Sequence, residues 1–327
     1  MTAGLAGLTL VVLAGAWAFN VGFQNMLKAP GPAAQSETVF EIERGLSVGQ
    51  IATRLKDANL ISNALVFRLA AWRTGATRAL RAGEYAIPPQ ASMDDIIGLF
   101  TSGAVRLHRL TIAEGLTTKQ ILKLVADDSA LDGAITLKPV EGALLPDTYK
   151  FPKGEKRDAV IARMAKAQTD FLAQVWPQRV EGLPFDTQDQ ALTLASIVEK
   201  ETGLASERPR VAAVFINRLK KGMKLQADST IVYGITGGDP IGRQIKRSEI
   251  DDPAPYNTYQ IIGLPPTPIA NPGRESILAV LNAPMTSELY FVADGSGGHV
   301  FADTAAEHQR NHAKWRVIHK KQMTATP

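Results

Sequence analysis

Two glutamates stand near the end of an apolar segment, LTLASIVEKETG (Leu192–Gly203), and their carboxyl groups are the first candidates for chemistry. At about 100° per residue on a helix, Glu199 and Glu201 both fall within the arc of apolar side chains, whereas Lys200 lies opposite. Burial raises the pKa of a carboxyl group, which makes it a usable general acid near neutral pH. Glutamates at the edge of such an arc are also often solvated, so the pattern leaves a structural role open.

Helix geometry separates these two carboxyl groups. Residues two positions apart point about 200° apart, so one groove is not expected to use both Glu199 and Glu201 directly. A retaining glycosidase pair, whose carboxyl groups lie about 5 Å apart across one bond, is therefore disfavoured. The helical pattern does not choose between the two glutamates.

Two segments downstream of the glutamates combine polar side chains with a stiff backbone. LQADSTIVYG (Leu225–Gly234) is short and polar, and PAPYNTYQIIGLPPTPIANPG (Pro253–Gly273) contains six prolines, two tyrosines and two asparagines. Proline restricts the unfolded chain, while Tyr, Asn and Gln offer neutral hydrogen bonds. Such a surface suits a hydroxyl-rich, weakly charged ligand such as a sugar chain. A structural proline-rich turn is the alternative.

The elements that must position these segments alternate between helix and strand, which predicts an α+β fold. Glu288–Asp294 and His299–Asp303 flank the turn GSGG and predict a β-hairpin. For the helix that leads out of the glutamate region, we expect Ser206 as the N-cap and Gly222 as the stop. The predicted helices of this part of the chain are Asp158–Leu172, Thr187–Thr202, Glu207–Lys221 and Thr304–Lys321.

The N-terminal segment bears on the compartment. Ala3–Phe19 contains no charged residue, and the first charge is that of Lys28. This length is at the lower limit for crossing a hydrocarbon core of about 30 Å. We predict a transmembrane anchor at residues 1–22, followed by a Pro- and Ala-rich linker at residues 23–37. A cleaved signal peptide and a buried core helix are the alternatives, and the first of these also leaves the chain outside the cytoplasm.

Residues 38–135 contain an internal repeat. IERGLSVGQIATRL (Ile42–Leu55) recurs as IAEGLTTKQILKLV (Ile112–Val125) at a constant offset of 70. Each copy predicts a short strand, a Gly-containing turn and an amphipathic helix, with Ser47 or Thr117 as the N-cap. The copies resemble LysM modules, and that resemblance implies binding of glycans that contain N-acetylglucosamine. A generic strand–turn–helix unit is the alternative.

Composition argues against several classes of function. The 327 residues carry a net charge of +4 that is dispersed along the chain. No basic run is interleaved with aromatic residues, so nucleic-acid binding is not predicted. The absence of cysteine excludes disulfides, an iron–sulfur cluster and a thiol nucleophile.

Metal, dinucleotide and serine-hydrolase sites are not predicted either. His308 and His312 have a spacing that can bind zinc, with His319 further along, but the surrounding AEHQRNHAKW lacks a third close ligand. The turn GSGG lacks the strand–turn–helix order and downstream acid of a dinucleotide site. Ser196 lacks a G-x-S-x-G setting. We therefore expect no cofactor and no metal.

Five blocks of the sequence carry a stronger resemblance. They are EGALLPDTYKF (Glu141–Phe151), ASIVEKET (Ala195–Thr202), ERPRVAAVFINRLKKGMKLQADSTIVYG (Glu207–Gly234), YNTYQIIGLPPTPIANPG (Tyr256–Gly273) and LYFVADGSGGHVF (Leu289–Phe301). The blocks resemble, and stand in the same order as, those of the endolytic murein transglycosylase family, also called YceG-like. The resemblance implies a single-pass protein of the bacterial inner membrane with a periplasmic LysM-like region. It also implies a catalytic domain, here residues 136–327, that cleaves nascent peptidoglycan glycan strands beside peptidoglycan synthases (penicillin-binding proteins).

This resemblance also implies roles for individual residues. Glu201 corresponds to the family's essential glutamate and Glu199 to a supporting one. Protonated Glu201 would donate to the oxygen between N-acetylmuramic acid and N-acetylglucosamine, and would then accept the muramic C6 hydroxyl proton as a 1,6-anhydro product forms. A glycan-binding scaffold without catalysis and a hydrolytic muramidase are the alternatives. The residues that the family blocks offer for holding the sugar are Gln226, Asp228, Thr230, Tyr256, Asn257 and Tyr259.

Overall fold

The structure is a computed structural model that describes residues 2–32 and 36–325. Residues 33–35, which belong to the predicted linker, lie outside the described residues. The chain divides into two compact units. Unit 1 comprises Met1–His108 and Lys150–Glu155, and unit 2 comprises Arg109–Tyr149 and Lys156–Pro327.

Unit 1 is built around one antiparallel strand pair. In this pair, β1 (Thr38–Ile42) and β2 (Gly83–Ile87) place Phe40 opposite Tyr85. Tyr85 is fully buried and its ring lies 4.7 Å from that of Phe100. The elements up to the end of this unit's first segment are α1 (Thr2–Lys28), β1 (Thr38–Ile42), α2 (Val48–Asp57), α3 (Ala64–Arg73), a 3₁₀ turn (Ala76–Arg78), β2 (Gly83–Ile87), α4 (Met93–Ser102) and the start of β3 (Leu107–Thr111).

Helix α1 contains the one segment of the described residues that is long and apolar enough to span a membrane. That segment is Leu10–Lys28, with a mean hydropathy of 1.4. Its first half is exposed, whereas Phe23 and Leu27 are buried in the unit 1 core. Near its end, α1 packs against α3 and α4. Leu10–Lys28 is therefore a candidate membrane anchor or signal sequence.

The remaining elements are mostly helical, with short strands between them. Two-stranded pairings join β3 to β5 (Thr148–Pro152), β4 (Leu131–Asp132) to β6 (Glu155–Lys156) and β7 (Tyr290–Ala293) to β8 (His299–Ala302). The elements are α5 (Thr118–Asp127), β4 (Leu131–Asp132), β5 (Thr148–Pro152), β6 (Glu155–Lys156), α6 (Arg157–Val175), a 3₁₀ turn (Trp176–Gln178), α7 (Gln188–Glu201), α8 (Arg208–Lys220), α9 (Asp228–Thr236), α10 (Arg247–Ile250), α11 (Arg274–Leu281), β7 (Tyr290–Ala293), β8 (His299–Ala302) and α12 (Ala305–Ala325).

Helix α7 is the centre of the unit 2 core. The helix begins with a capping box. In it, the Thr187 side chain accepts from the Gln190 backbone N–H, and the Gln190 side chain accepts from the Thr187 backbone N–H. Leu194 and Ile197 are fully buried, and α7 packs against both α8 and α11. Burying one large aliphatic side chain stabilises the folded state by about 1.5–3 kcal/mol. The packing fixes the C-terminal end of α7, where Glu201 is the last residue.

Most local predictions are confirmed. The fold is a mixed α+β fold, and the β7–β8 hairpin pairs Tyr290 with Ala302. The predicted N-cap at Ser206 is wrong. The N-cap of α8 is Glu207, which makes no side-chain cap hydrogen bond because its carboxylate bonds to His299. Gly222 follows the C-cap of α8 with a φ of +63°, a left-handed conformation that favours glycine.

The two repeat copies have the same local structure. Ser47 and Thr117 each form a capping box with a glutamine three residues later. The first copy lies in unit 1, where β1 pairs with β2, whereas the helix of the second lies in unit 2 and its strand β3 pairs with β5. The two copies thus share a strand, a turn and a capped helix. The LysM-like assignment stays a prediction.

Candidate active site

Glu201 ends α7, and its carboxyl group meets the first turn of α9. Its Oε1 atom accepts a hydrogen bond from Ser229 Oγ at 2.7 Å. Burial raises the pKa of the Glu201 carboxyl above its ordinary value, and the negative charge of Asp228 acts in the same direction. The Ser229 hydrogen bond and the proximity of His299 oppose this rise in pKa without reversing it. Glu201 therefore keeps its proton at a higher pH than an exposed glutamate does.

A tyrosine and an aspartate lie beside this carboxyl group. Tyr259 donates its phenolic hydrogen to Asp228 Oδ1 at 2.8 Å. Burial, then the hydrogen bond to Asp228 and the charges of Asp228 and Glu201, raise the pKa of the Tyr259 phenol. The phenol therefore stays protonated and acts as a hydrogen-bond donor, while Asp228 remains exposed at the first position of α9.

A buried arginine holds the loop that leads into α9. Arg218 is 7% exposed, and its Nη1 atom donates to the Leu225 carbonyl at 2.7 Å and to Gln226 Oε1 at 3.3 Å. Its Nε atom donates to the Leu289 carbonyl at 2.7 Å, which ties the loop to the start of the hairpin. Gln226 has a φ of +53°, a conformation that is uncommon for a residue with a β-carbon. Arg218 thus fixes a strained turn next to Asp228.

Two of the predicted sugar-binding residues make their hydrogen bonds inside the protein. Thr230 is fully buried and bonds to the Ala227 carbonyl at 2.7 Å and to Thr258 Oγ1 at 2.9 Å. Asn257 is also buried, and its Oδ1 atom accepts from the Tyr259 backbone N–H. Both residues therefore stabilise the loops around α9. The amide of Asn257 donates to the carbonyls of Glu249, Ile250 and Asp252.

Tyr256 belongs to a separate aromatic cluster. Its hydroxyl is 2.7 Å from Thr267 Oγ1, and its ring lies 5.0 Å from that of Tyr233. Tyr233 donates in turn to Glu141 Oε2 at 3.2 Å. The structure thus groups Gln226, Asp228 and Tyr259 near Glu201, buries Thr230 and Asn257 beneath them, and places Tyr256 with Tyr233.

Glu199 has different partners. Its Oε2 atom accepts from the Gly273 backbone N–H at 2.9 Å, where α11 begins. Its Oε1 atom lies 3.8 Å from Arg208 Nη2, and the same nitrogen lies 3.8 Å from Glu114 Oε2. Burial, and then the charge of Glu199, raise the pKa of Glu114. Glu199 therefore lies in a charge cluster that does not include Glu201, as their helical spacing predicted.

The chain is similar to known proteins over most of its length. A family model described as the YceG-like family matches residues 40–314. The chain belongs to the YceG-like family. The resemblance identified from the five sequence blocks is therefore confirmed.

Two named relatives and one solved structure are similar to this chain over most of its length. The chain is 31% identical to a Bacillus subtilis (strain 168) protein named endolytic murein transglycosylase, over 95% of this chain and 92% of the relative. It is 28% identical to a protein of the same name from Streptococcus pneumoniae (strain D39), over 95% of this chain and 64% of that protein. A crystal structure of a YceG-like protein from Listeria monocytogenes matches with a TM-score of 0.53 and 30% identity, over 85% of this chain and 99% of that chain.

Sequence reasoning missed four residues at or near the site: Ser229, Arg218, Glu207 and His299. Glu207 accepts from the His299 backbone N–H at 2.8 Å and lies 2.7 Å from its Nδ1 atom. The charge of His299 opposes the rise in the pKa of Glu201, so this pair lies near the site. All four residues stand inside the blocks that the YceG-like family shares, which was the available signal.

The histidines of α12 lie in an aromatic stack. The His308 ring lies 5.1 Å from that of Tyr290, and Trp315 lies between His312 and His319 at 5.4 and 5.0 Å. Among residues 2–32 and 36–325, no group of three His, Cys, Asp or Glu side chains is arranged to hold a metal ion. The stack packs α12 against the hairpin.

Proposed function

We propose that this chain is a membrane-anchored endolytic lytic transglycosylase that cleaves bonds between N-acetylmuramic acid and N-acetylglucosamine in nascent peptidoglycan strands. The observation that carries the proposal is the Glu201 carboxyl, which is half-buried, has a pKa raised by desolvation and accepts a hydrogen bond from Ser229 without a cationic partner within salt-bridge distance among the described residues. The names of the Bacillus and Streptococcus relatives support the substrate and the reaction.

The reaction requires one carboxyl group that acts twice. Protonated Glu201 gives its proton to the glycosidic oxygen as the bond from that oxygen to muramic C1 breaks. The C6 hydroxyl of the same muramic residue then attacks C1, and the Glu201 carboxylate accepts the hydroxyl proton. The new C1–O6 bond closes the 1,6-anhydro ring, no water is added, and Glu201 returns to its protonated form.

The neighbouring residues support both steps. The Ser229 hydroxyl stabilises the carboxylate that exists between the two proton transfers, because a hydrogen bond to the charged form favours that form. Gln226, Asp228 and Tyr259 offer polar groups to the sugar next to Glu201. Substrate contacts from the other three residues of the family blocks, Thr230, Asn257 and Tyr256, stay predictions. We assign Glu199 a supporting role through Arg208 and α11.

The setting follows from the N-terminal helix. We place residues 1–22 in the bacterial inner membrane as a single anchor and the rest of the chain in the periplasm, beside peptidoglycan synthases. The exposed first half of the candidate span supports this placement. We retain the division into a LysM-like region at residues 38–135 and a catalytic domain at residues 136–327 as part of the proposal.

Product analysis tests the proposal. Purified full-length protein incubated with uncrosslinked glycan strands is expected to yield muramic ends in the anhydro form, which mass spectrometry detects as products lighter by one water than reducing ends. Reducing ends would instead identify a hydrolytic muramidase. If the wild-type protein forms no new ends and Glu201→Gln binds strands equally well, the protein is a glycan-binding scaffold.

A further inference from the structure

Ser229 also borders a cavity of about 290 Å³. Because Ser229 donates to Glu201, this cavity lies directly beside the proposed general acid. Ligand pockets usually measure about 300–1,000 Å³, so the cavity suits a substituent of the sugar rather than a disaccharide. The polar and small residues that line it include Thr117, Lys200, Ser229, Tyr233, Gly238 and Asp239.

Lys200 brings a positive charge to this cavity and is held in place by the backbone. Its Nζ atom donates to the Gly115 carbonyl at 3.2 Å. Gly115 has a φ of +75°, and the lysine stem passes over it, with Cδ 3.6 Å from where a β-carbon would stand. An ammonium group has three hydrogen-bond donors, so two remain for a ligand. Among the described residues, no carboxylate lies within 4.0 Å of this nitrogen.

Three acids around Lys200 have hydrogen-bond or ion-pair partners of their own. Asp239, on the wall of the same cavity, pairs with Lys119 Nζ at 2.9 Å. Glu199 accepts from a backbone N–H at 2.9 Å and faces Arg208. Glu201 accepts a hydrogen bond from Ser229 Oγ at 2.7 Å, and desolvation raises the pKa of its carboxyl group. The charge of Lys200 is therefore available to an anionic group that enters the cavity.

We propose that Lys200 binds a carboxylate on the lactyl arm of the muramic residue, with the arm lying in this cavity. The inference rests on the proposed function, because muramic acid is the sugar of that substrate that carries such an arm. In a strand stripped of peptides, the lactyl group itself ends in a carboxylate. In a peptide-bearing strand, the stem peptide supplies the carboxylates. Both sources present the same group to the ammonium.

Binding measurements in the Glu201→Gln background test this inference without cleavage. The probes are peptide-bearing strands, strands stripped of peptides by an amidase, and a chitooligosaccharide that lacks the arm. Adding Lys200→Gln is expected to weaken binding about tenfold for at least one of the carboxylate-bearing strands, the loss expected for a charge-assisted hydrogen bond. It is expected to leave chitooligosaccharide binding unchanged. The strand that responds identifies the source of the carboxylate.

A matched control uses Lys123→Gln, an exposed lysine on α5 that pairs with Asp127 at 2.7 Å. It removes the same charge and is expected to leave binding of all three probes unchanged. In the active protein, Lys200→Gln is expected to raise KM about tenfold with little change in kcat, and to reduce the salt dependence of KM. Because Lys200 is exposed, its variant is expected to unfold at the wild-type temperature.

Two results would overturn the inference. One is equal binding of both carboxylate-bearing strands by the proteins with and without Lys200. The other is an equal loss of affinity for the chitooligosaccharide, since that ligand has no carboxylate. A protein that forms no anhydro ends but still binds carboxylate-bearing strands through Lys200 would contradict the proposed reaction alone.

Discussion

The two glutamates on opposite sides of the C-terminal end of α7 have different surroundings. On one side, Glu199 accepts a backbone hydrogen bond and faces the buried guanidinium of Arg208. On the other side, Glu201 is half-buried and accepts from Ser229, whose hydroxyl and backbone N–H are both neutral donors. Desolvation without a cationic partner favours the protonated form of a carboxyl group, and these are the surroundings of Glu201. The neighbours, and not the residue type, therefore decide which glutamate can act as an acid.

The largest effect is expected when each glutamate is replaced by its isostere. Glu201→Gln should reduce the formation of anhydro ends by about 10³-fold, because the group that transfers both protons is lost. Glu199→Gln, which keeps an acceptor for Gly273, should retain activity within a few-fold. Initial rates on the same glycan strands, corrected for the folded fraction, measure both. Similar losses in the two variants would contradict the division of roles.

For stability we expect the reverse order, with a larger loss when Glu199 is replaced than when Glu201 is replaced. Glu199→Ala leaves Arg208 buried, with Glu114 as its remaining carboxylate partner at 3.8 Å, and should cost about 3 kcal/mol in the free energy of unfolding. Denaturant titration measures this change. Glu181→Ala, which removes an exposed glutamate, is the control and should change the free energy of unfolding by less than about 0.5 kcal/mol. A Glu199→Ala protein as stable as this control would show that the charge cluster of Glu199, Arg208 and Glu114 does not contribute to the free energy of unfolding.

Glu201→Gln should stabilise the protein in a pH-dependent way. The folded-state pKa of Glu201 is raised above the ordinary value of 4.5. The contribution of protonated Glu201 to the free energy of unfolding is therefore fully present below pH 4.5 and is lost as pH rises through the folded-state pKa. Gln does not ionise and avoids that loss. Melting temperatures of the two proteins should coincide at acidic pH and diverge in favour of Glu201→Gln at alkaline pH. A difference that is constant with pH would argue against a buried, ionisable Glu201.

The smallest effect expected is a pair of opposite shifts in the pH dependence of kcat/KM. Activity requires protonated Glu201 and therefore falls as pH rises through its pKa. Ser229→Ala removes a hydrogen bond that lowers this pKa, so the decline should move to higher pH. Asp228→Asn removes a charge that raises it, so the decline should move to lower pH. Shifts in the same direction would contradict the assigned contacts.

Features set by residues close in sequence could be predicted. The capping boxes at Ser47 and Thr117 use a partner three residues later, and the hairpin uses strands joined by a glycine-rich turn. The predicted ends of α7 and α8 agree with the structure to within about a residue for the same reason. Helical spacing also predicted that Glu199 and Glu201 would have different partners.

Features set by distant residues could not be predicted. Ser206 looked like the better cap, but the Glu207 side chain bonds to His299, which lies 92 residues away. Ser229 lies 28 residues from Glu201, and nothing in the spacing of the two blocks joins them. The surroundings that distinguish Glu199 from Glu201 come from α9 and α11, so the helix pattern alone could not choose between them.

Direct titration of the two carboxyl groups tests the central claim most directly. Infrared difference spectra across pH, recorded on wild-type protein, Glu201→Gln and Glu199→Gln, follow the C=O band of protonated carboxyl groups. Glu114, whose pKa is also raised, should give one band above pH 4.5 that remains in Glu201→Gln. We expect a second band that persists above pH 4.5, the ordinary pKa of glutamate, disappears in Glu201→Gln and remains in Glu199→Gln. A wild-type spectrum without that band, or a band that disappears only in Glu199→Gln, would contradict Glu201 as the acid.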